Sequence, residues 1–213
     1  MTIRSLKAPK LPAHPLLDIA SDEVGFDGRF ALQIVKFRYR KFDGAWSRQL
    51  TWELWRRGNA VVILPYDPWT DRVALIEQFR LPALAAGLDP IMTECPAGLL
   101  EAGEEPAAAA ARETQEETGL VADRVLDVGG FMLMQGSCDE IARFSIARVR
   151  LPETGRLADA GLETEGESTR VVVMPAKEAF AMVAENRVLN APTALALLSL
   201  QVRHATLREE WRA

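Results

Sequence analysis

Apolar positions along the chain change period several times, and each change marks an element. In RFALQIVKFRYRKF, from Arg29, the residues Phe30, Leu32 and Ile34 recur at period two ahead of further aromatics, which predicts a strand. Asp43-Gly44 is a strong hairpin signal, and Ala45–Arg56 reads as the returning strand. NAVVILPY and RVALIEQFR predict two more strands joined by the turn DPWTD; LPALAAGLDP reads as a loop and IMTECP as a short strand. A helix follows. Glu104 and Glu105 sit where the dipole welcomes negative charge, Pro106 suits the first turn, five alanines supply propensity and Gly119 stops it. Strands are predicted at Arg124–Met134, at Ile141–Val149 and in TRVVVMP. PAKEAFAMVAENR then reads as a helix, and APTALALLSLQVRHATLREEW as a long closing one. Residues 1–25 carry three prolines and no period, so an irregular arm is expected there. Strands and helices mix without regular βαβ alternation, which argues for the α+β class. The arm and hairpin, 1–57, read as a subdomain beside a main domain at 58–213.

Composition removes several function classes. The 213 residues carry a net charge of −5 and no long Lys/Arg run, which argues against a nucleic-acid partner. A small anionic substrate stays open, because a metal ion reverses the local sign. No apolar stretch reaches the length of about 18 residues needed to span a membrane, and the N-terminus lacks the apolar run of a secretory signal. Cys95 and Cys138 form no CxxC pair, which fits a reducing cytoplasm and argues against zinc. His14 lies in a Pro-rich segment and His204 in an amphipathic one, so both read as structural and histidine-based nucleophilic catalysis has poor material.

What remains is the stretch GLLEAGEEPAAAAARETQEETGL, residues 98–120. On a helix, Glu113, Glu116 and Glu117 project within one arc of about 100°. Three like charges on that arc repel one another, and on most surfaces they would be a solvated acidic face. A hard divalent cation removes the repulsion: Mg²⁺ takes oxygen ligands and completes its shell with waters and substrate phosphates. Arg112 stands four residues before Glu116, placed to hold that carboxylate in one rotamer. Gly98, Glu104, Arg112, Glu113, Glu116, Glu117 and Gly119 form a fixed frame whose chance coincidence is about 10⁻⁸ per starting position.

That frame resembles the Nudix box, G-x5-E-x7-R-E-U-x-E-E-x-G-U, with U a bulky apolar residue. Gly98, Glu104, Arg112, Glu113, Glu116, Glu117, Gly119 and Leu120 match, and Thr114 departs at the first U. The resemblance implies an α/β/α sandwich around a mixed sheet and Mg²⁺-dependent hydrolysis of a nucleoside diphosphate linked to another group, with Mn²⁺ as the alternative ion. By the same resemblance Glu113 and Glu117 would be principal metal ligands, Glu116 would share or support, and Glu104 would be an outlying acidic position.

ECPAGLLEAGE further looks like the E-x-P-A-G-x-x-[DE]-x-G-E signature of ADP-ribose pyrophosphatases, matching at Glu94, Pro96, Ala97, Gly98, Glu101, Gly103 and Glu104. The likeness extends over about residues 25–211. It implies that the Ala97 carbonyl joins the metal ligands, that Arg80 pairs with substrate phosphate or ribose, and that the chain is a homodimer through its N-terminal strands. Trp46, Trp52 and Trp55 give that hairpin an apolar character, either for a swap or for packing on its own sheet. Phe30 is a candidate to stack on a nucleobase, or a core residue. Where the branch has a loop like S-P-G-x-[ST]-x-E, this chain has MQGSCDE: Gln135 replaces proline, and Glu140 occupies the acidic position expected to take or steer the attacking water's proton, with Asp139 its competitor. Thr51-Trp52 also lack the basic residues that relatives tend to carry. The implied reaction is ADP-ribose to AMP and ribose 5-phosphate. GDP-mannose or another nucleoside diphosphate sugar is the alternative, and a non-catalytic nucleotide sensor is disfavoured by the complete set of box carboxylates.

Overall fold

The alternating stretch after Arg29 is a strand, but it buries the opposite set of side chains from the one its apolar period suggests. In the computed structural model, which describes residues 8–152 and 168–213, β2 (Ala31–Tyr39) buries Ala31, Gln33, Val35 and Phe37 and leaves Leu32 and Ile34 half-buried. The cause is a polar residue with partners on both sides. Gln33, 2% exposed, donates to the Asp22 carboxylate and accepts from Arg56 Nη1 at 3.0 Å, so its amide is satisfied and its face can close.

The expected irregular arm is in part a strand. β1 (Leu17–Asp27) pairs antiparallel with β2 from Leu17↔Tyr39 to Asp27↔Ala31, with irregularities between Ile19 and Ser21 and between Val24 and Phe26. None of its residues is buried, so no apolar stripe announces it; the backbone ladder alone defines the strand. Residues 1–7 of that arm lie outside the described residues. Asp43-Gly44 does make a turn: Gly44 has φ 80°, and Asp43 Oδ1 accepts from the Ala45 N–H at 2.9 Å. The returning strand β3 (Leu50–Arg56) begins at Leu50 rather than Ala45, with only an isolated bridge, Arg40↔Trp46, between. The order β1-β2-β3, together with residues 132–141, makes the first of two compact units.

The second unit comprises residues 60–131 and 142–213. Its centre is β4 (Ala60–Asp67), with all eight residues buried, as a strand covered on both faces requires. The strands β5 (Arg72–Phe79), β8 (Arg124–Met132), β9 (Ile141–Arg148) and β10 (Arg170–Pro175) arrange in the order β10-β5-β4-β9-β8. β6 (Ile91–Glu94) pairs with β5, and β7 (Ala97–Leu99) with β4. β4 runs parallel to β9 from Ala60↔Ala142 to Tyr66↔Arg148 and antiparallel to β5 and β7, so the sheet is mixed. Val61 and Ile63 pack on Ala109 and Ala110 of α2 (Pro106–Thr118). Tyr66 points to the opposite face, where its ring meets His204 and Trp211 of α4 (Ala191–Arg212). Helices therefore cover both faces, giving the α/β/α sandwich, with α3 (Ala176–Ala184) following β10.

Two elements in this unit were not expected. A single helical turn, α1 (Leu81–Ala85), opens the supposed loop with Pro82 in its first turn. β7 is three residues long, too short to carry a period of its own. β8 also ends at Met132 and β9 at Arg148, slightly inside the predicted bounds. Among the described residues, no helix is long and apolar enough to cross a membrane.

Candidate active site

The acidic stretch folds as α2, with Pro106 in its first turn and Gly119 closing it in the left-handed region at φ 69°, its N–H on the Gln115 carbonyl. Glu105 is the N-cap without a side-chain cap bond. Thr114, at the box's usual apolar position, is fully buried, and its hydroxyl donates to the Ala110 carbonyl at 2.6 Å; Thr118 repeats the pattern on Thr114. Both hydroxyls are thereby satisfied inside the helix.

On the exposed side of that buried seam, Arg112 is the hub. Its Nε and Nη2 take the two oxygens of Glu104, each at 3.0 Å. Its Nη1 reaches Glu113 at 2.7 Å and Glu116 at 3.0 Å, and Nη2 also reaches the Leu99 carbonyl at 3.4 Å. The expected Arg112–Glu116 pair is present, within a wider clamp of three carboxylates. Arg112 holds the Glu104 carboxyl below its ordinary range, and Glu104 in turn pushes the guanidinium's own pKa up. Glu104 thus turns to Arg112, and to the Glu101 N–H at 3.1 Å, rather than to the helix N-terminus.

β7 supplies the other wall. Glu117 Oε2 accepts the Ala97 N–H at 2.9 Å, and the Glu113 carboxylate lies directly over Gly98. Glu113 and Glu117 are 8% and 4% exposed, while Glu116 is half-buried. Ala97, Glu104, Arg112, Glu113, Glu116 and Glu117 are therefore one cluster. Arg80 stands elsewhere in the same unit: its Nε and Nη2 hold Glu94 Oε2 at 2.9 and 2.7 Å, with Gln78 on the same oxygen at 3.2 Å. Sequence reading did not anticipate that Glu94 partners Arg80. The ordinary chemistry of Cys95 is closed off, since burial pushes its thiol up to about 12.

The remaining predicted residues belong to the first unit. Phe30 lines a cleft of about 560 Å³ with Phe26, Arg29, Leu32, Glu53, Trp55 and Ser137, and packs edge-on against Trp55 at 6.0 Å. Gln135 is exposed in a turn closed by the Ser137 and Cys138 N–H groups on the Met134 carbonyl. Glu140 is buried and accepts from Arg57 at 3.2 Å, whereas Asp139 pairs with Arg56. Burial pushes the Glu140 carboxyl up, against the pull of Arg57. Both histidines are engaged structurally: His14 accepts from the Leu16 N–H at 3.2 Å, and His204 meets Asp71 at 2.6 Å.

Residues 56–193, more than half the chain, match the family model described as the NUDIX domain. The chain belongs to the Nudix family. Among its Nudix relatives, the ADP-ribose pyrophosphatase of Escherichia coli (strain K12) is 36% identical over 195 residues, 92% of each chain. That of Haemophilus influenzae is 28% identical over 199 residues, 92% of this chain and 91% of the relative. The GDP-mannose pyrophosphatase of Yersinia pestis (strain Pestoides F) is 34% identical over 163 residues, 76% of this chain and 80% of that one. A crystal structure of an ADP compounds hydrolase superposes with a TM-score of 0.68 at 19% identity, covering 95% of this chain and 100% of the other, which supports the fold.

The Nudix box here fits a divalent cation by its donor chemistry. Three carboxylates of one helix face and a neighbouring strand carbonyl are hard oxygen donors, the set that Mg²⁺ or Mn²⁺ takes. Among the described residues they form no ready-made cage, because Glu113 and Glu116 are turned onto Arg112 and Glu117 onto the Ala97 amide. Rotation about the glutamate side-chain torsions re-aims the oxygens without moving the helix.

Proposed function

We propose that this Nudix protein hydrolyses the diphosphate bond of ADP-ribose, releasing AMP and ribose 5-phosphate, with Mg²⁺ (Mn²⁺ as the alternative) held by Glu113, Glu116, Glu117 and the Ala97 carbonyl. The observation that carries the reading is the seating of the buried Glu113 carboxylate over Gly98 under the Arg112 clamp. Three carboxylates there share the single guanidinium of Arg112, which leaves an excess of negative charge that a divalent cation would offset. When bound, the ion supplies Lewis-acid polarisation of the phosphoryl oxygens. The chain's own residues do the rest. Arg112 gathers Glu113 and Glu116 on one side of α2, from where rotation about their side-chain torsions would bring their oxygens to the ion. Glu140, its carboxyl raised by burial, takes or steers the proton of the attacking water. Arg80 donates to phosphate or ribose, Phe30 offers a ring face to the nucleobase, and Gln135 presents an amide where relatives of this branch have proline.

The same reading includes a homodimer through the 1–57 subdomain and a cytoplasmic location. Val24, Phe26 and Trp52 are 50%, 64% and 53% exposed on the first unit's strands, and a second copy would cover apolar area of this kind. Light scattering on the wild type and on Trp52→Glu tests it, since a monomeric wild type ends the dimer reading.

The deciding assay offers ADP-ribose, GDP-mannose and ADP-glucose in parallel with Mg²⁺ and identifies the phosphate products, with Glu117→Gln as control. AMP release dominated by ADP-ribose and lost in the variant supports the proposal. GDP-mannose is the second reading, favoured by the Yersinia relative; its preference would keep the metal site and transfer specificity to the loop at Gln135. No Mg²⁺-dependent turnover of any of the three defeats both.

A further inference from the structure

Beyond the end of β4, the second unit carries arginines stacked on two tryptophan rings. Arg150, just past β9, has its guanidinium carbon 3.0 Å from the ring centre of Trp69, and Arg148 lies 5.4 Å from the same ring. Arg124, which opens β8, stands 5.8 Å from the ring centre of Trp211. Arg148 joins the two rings, because its Nη1 donates to the Trp211 carbonyl at 2.9 Å. The backbone is pinned on both sides of Arg150: the Val149 N–H donates to the Tyr66 carbonyl at 3.0 Å and the Leu151 N–H to Asp67 Oδ2 at 2.9 Å. Buried Asp67 takes the Trp69 N–H on its other oxygen at 2.9 Å, so one carboxylate steadies both members of the stack.

Stacking uses the face of a guanidinium and leaves its N–H edge for a carboxylate. Arg148 has such a partner, Asp123 Oδ1 at 2.7 Å. Among the described residues Arg150 and Arg124 have none, and both are exposed. The last turn of α4 adds no net charge, since Glu209 and Glu210 balance Arg208 and Arg212. Three arginines against one exposed aspartate therefore make a positive patch on a chain of net charge −5. The patch is remote from the acidic cluster: β7 pairs with the first three residues of β4, whereas Trp69 follows the last, about 20 Å along the strand.

We propose that the Trp69–Arg150 stack, flanked by Arg124, is a docking surface for an acidic segment of a partner protein. Charge complementarity sets the chemistry of the partner. The pre-oriented edge of Arg150 takes one carboxylate bidentately, and a second carboxylate along the same segment meets Arg124. A lone small anion on so open a surface keeps most of its water, whereas a segment also covers the Trp69 ring. Arginine and tryptophan are the side chains that most often dominate contacts of this kind.

The test is fluorescence anisotropy of a labelled hexaglutamate peptide, with hexaglutamine as control, on wild type, Arg150→Ala, Arg150→Lys and Arg150→Glu. Wild type is expected to bind hexaglutamate saturably, with affinity that falls as salt rises, and to ignore hexaglutamine. Arg150→Ala should weaken binding about tenfold and Arg150→Glu should abolish it. Arg150→Lys, which keeps the charge but loses the planar fork, should fall between wild type and Arg150→Ala. Mg²⁺-dependent turnover should be unchanged in all three variants, which shows that each is folded. Absent saturable binding, equal affinity for the two peptides, or wild-type affinity in Arg150→Lys overturns the proposal. So does displacement of the peptide by equimolar inorganic phosphate, which would make the patch a simple anion site. A changed oligomeric state in Arg150→Glu would overturn it too, by making the patch an interface between copies of this chain.

Discussion

Replacing Gly98 by alanine tests whether the Glu113 carboxylate must occupy the place it has. A Cβ at Gly98 would stand 1.8 Å from Glu113 Oε1, 2.1 Å from Cδ and 2.5 Å from Oε2, distances that real atoms do not share. Backbone strain contributes nothing, because Gly98 is not among the positive-φ glycines and alanine adopts β7's conformation readily. So the carboxylate must leave. Its departure breaks the 2.7 Å contact with Arg112, a charge-assisted bond of about 1.5–3 kcal/mol. At about 2–4 °C per kcal/mol for a chain of this length, Tm falls by about 3–12 °C and the protein stays folded at room temperature. Activity falls further. If Glu113 holds the metal as proposed, displacing it costs about 100-fold or more in turnover, about 2.7 kcal/mol of barrier. The assay pairs a thermal melt with AMP release across a Mg²⁺ titration. Gly87→Ala is the contrasting control: Gly87 has φ 77° and open space within 4 Å, so alanine there costs about 1 kcal/mol of strain and leaves turnover unchanged. A folded Gly98→Ala protein with wild-type turnover and wild-type Mg²⁺ requirement would refute the reasoning.

Arg112→Lys keeps the charge but loses the fork that spans Glu104, Glu113 and Glu116; stability should drop by about 1–2 kcal/mol and turnover with it, read by melts and kcat. Glu117→Gln still offers an oxygen to the Ala97 N–H, so circular dichroism and Tm should match the wild type while Mg²⁺-dependent turnover falls by about 100-fold or more. Glu104, whose carboxyl is held below its ordinary 4.5 by Arg112, contributes stability that is present above that value and lost as pH falls through its lowered folded pKa. Glu104→Gln should flatten the loss of Tm on acidification, and an unchanged acid slope would contradict the pairing. Glu140→Gln should remove the acid limb of kcat, and full turnover would redirect the search to its competitor Asp139.

The second unit was legible because its signals are local and redundant. β4 is one unbroken apolar run, α2 has proline, alanines and a terminal glycine in order, and the box spacing fixes which side chains share a helix face. The first unit was legible only in outline. The apolar set Phe30, Leu32 and Ile34 pointed to the wrong face of β2, since what decides the face is Gln33, and its partners Asp22 and Arg56 lie eleven and twenty-three residues away. β1 carries no pattern because nothing covers it completely. The doublet Arg56-Arg57 was visible beside the hairpin, but its meaning depends on Asp139 and Glu140, more than eighty residues later. Contacts of that separation leave no trace in periodicity, and a charge pair between distant segments has no sequence signature at all.

The box frame itself has a mechanical reading once the clamp is known. Gly98 is glycine because the Glu113 carboxylate takes the volume a side chain would need. Glu104 stands in the loop ahead of α2, from where both its oxygens reach back along the first turns to Nε and Nη2 of Arg112. Arg112 precedes Glu116 by one helical turn, so the same guanidinium reaches it, and adjacent Glu113 is drawn in by Nη1. Glu117, one turn beyond Glu113, lies on the face against β7 and is fixed by the Ala97 N–H instead. The intervals from Arg112 to Glu104, Glu113 and Glu116 are thus the reach of one side chain to one hub. Altering a spacing by a single residue rotates the partner by about 100° and breaks the clamp even with every residue type retained. Inserting one alanine between Arg112 and Glu113 should therefore abolish turnover as completely as removing the carboxylates, whereas an alanine inserted beside Gly87, in the exposed turn after α1, should not.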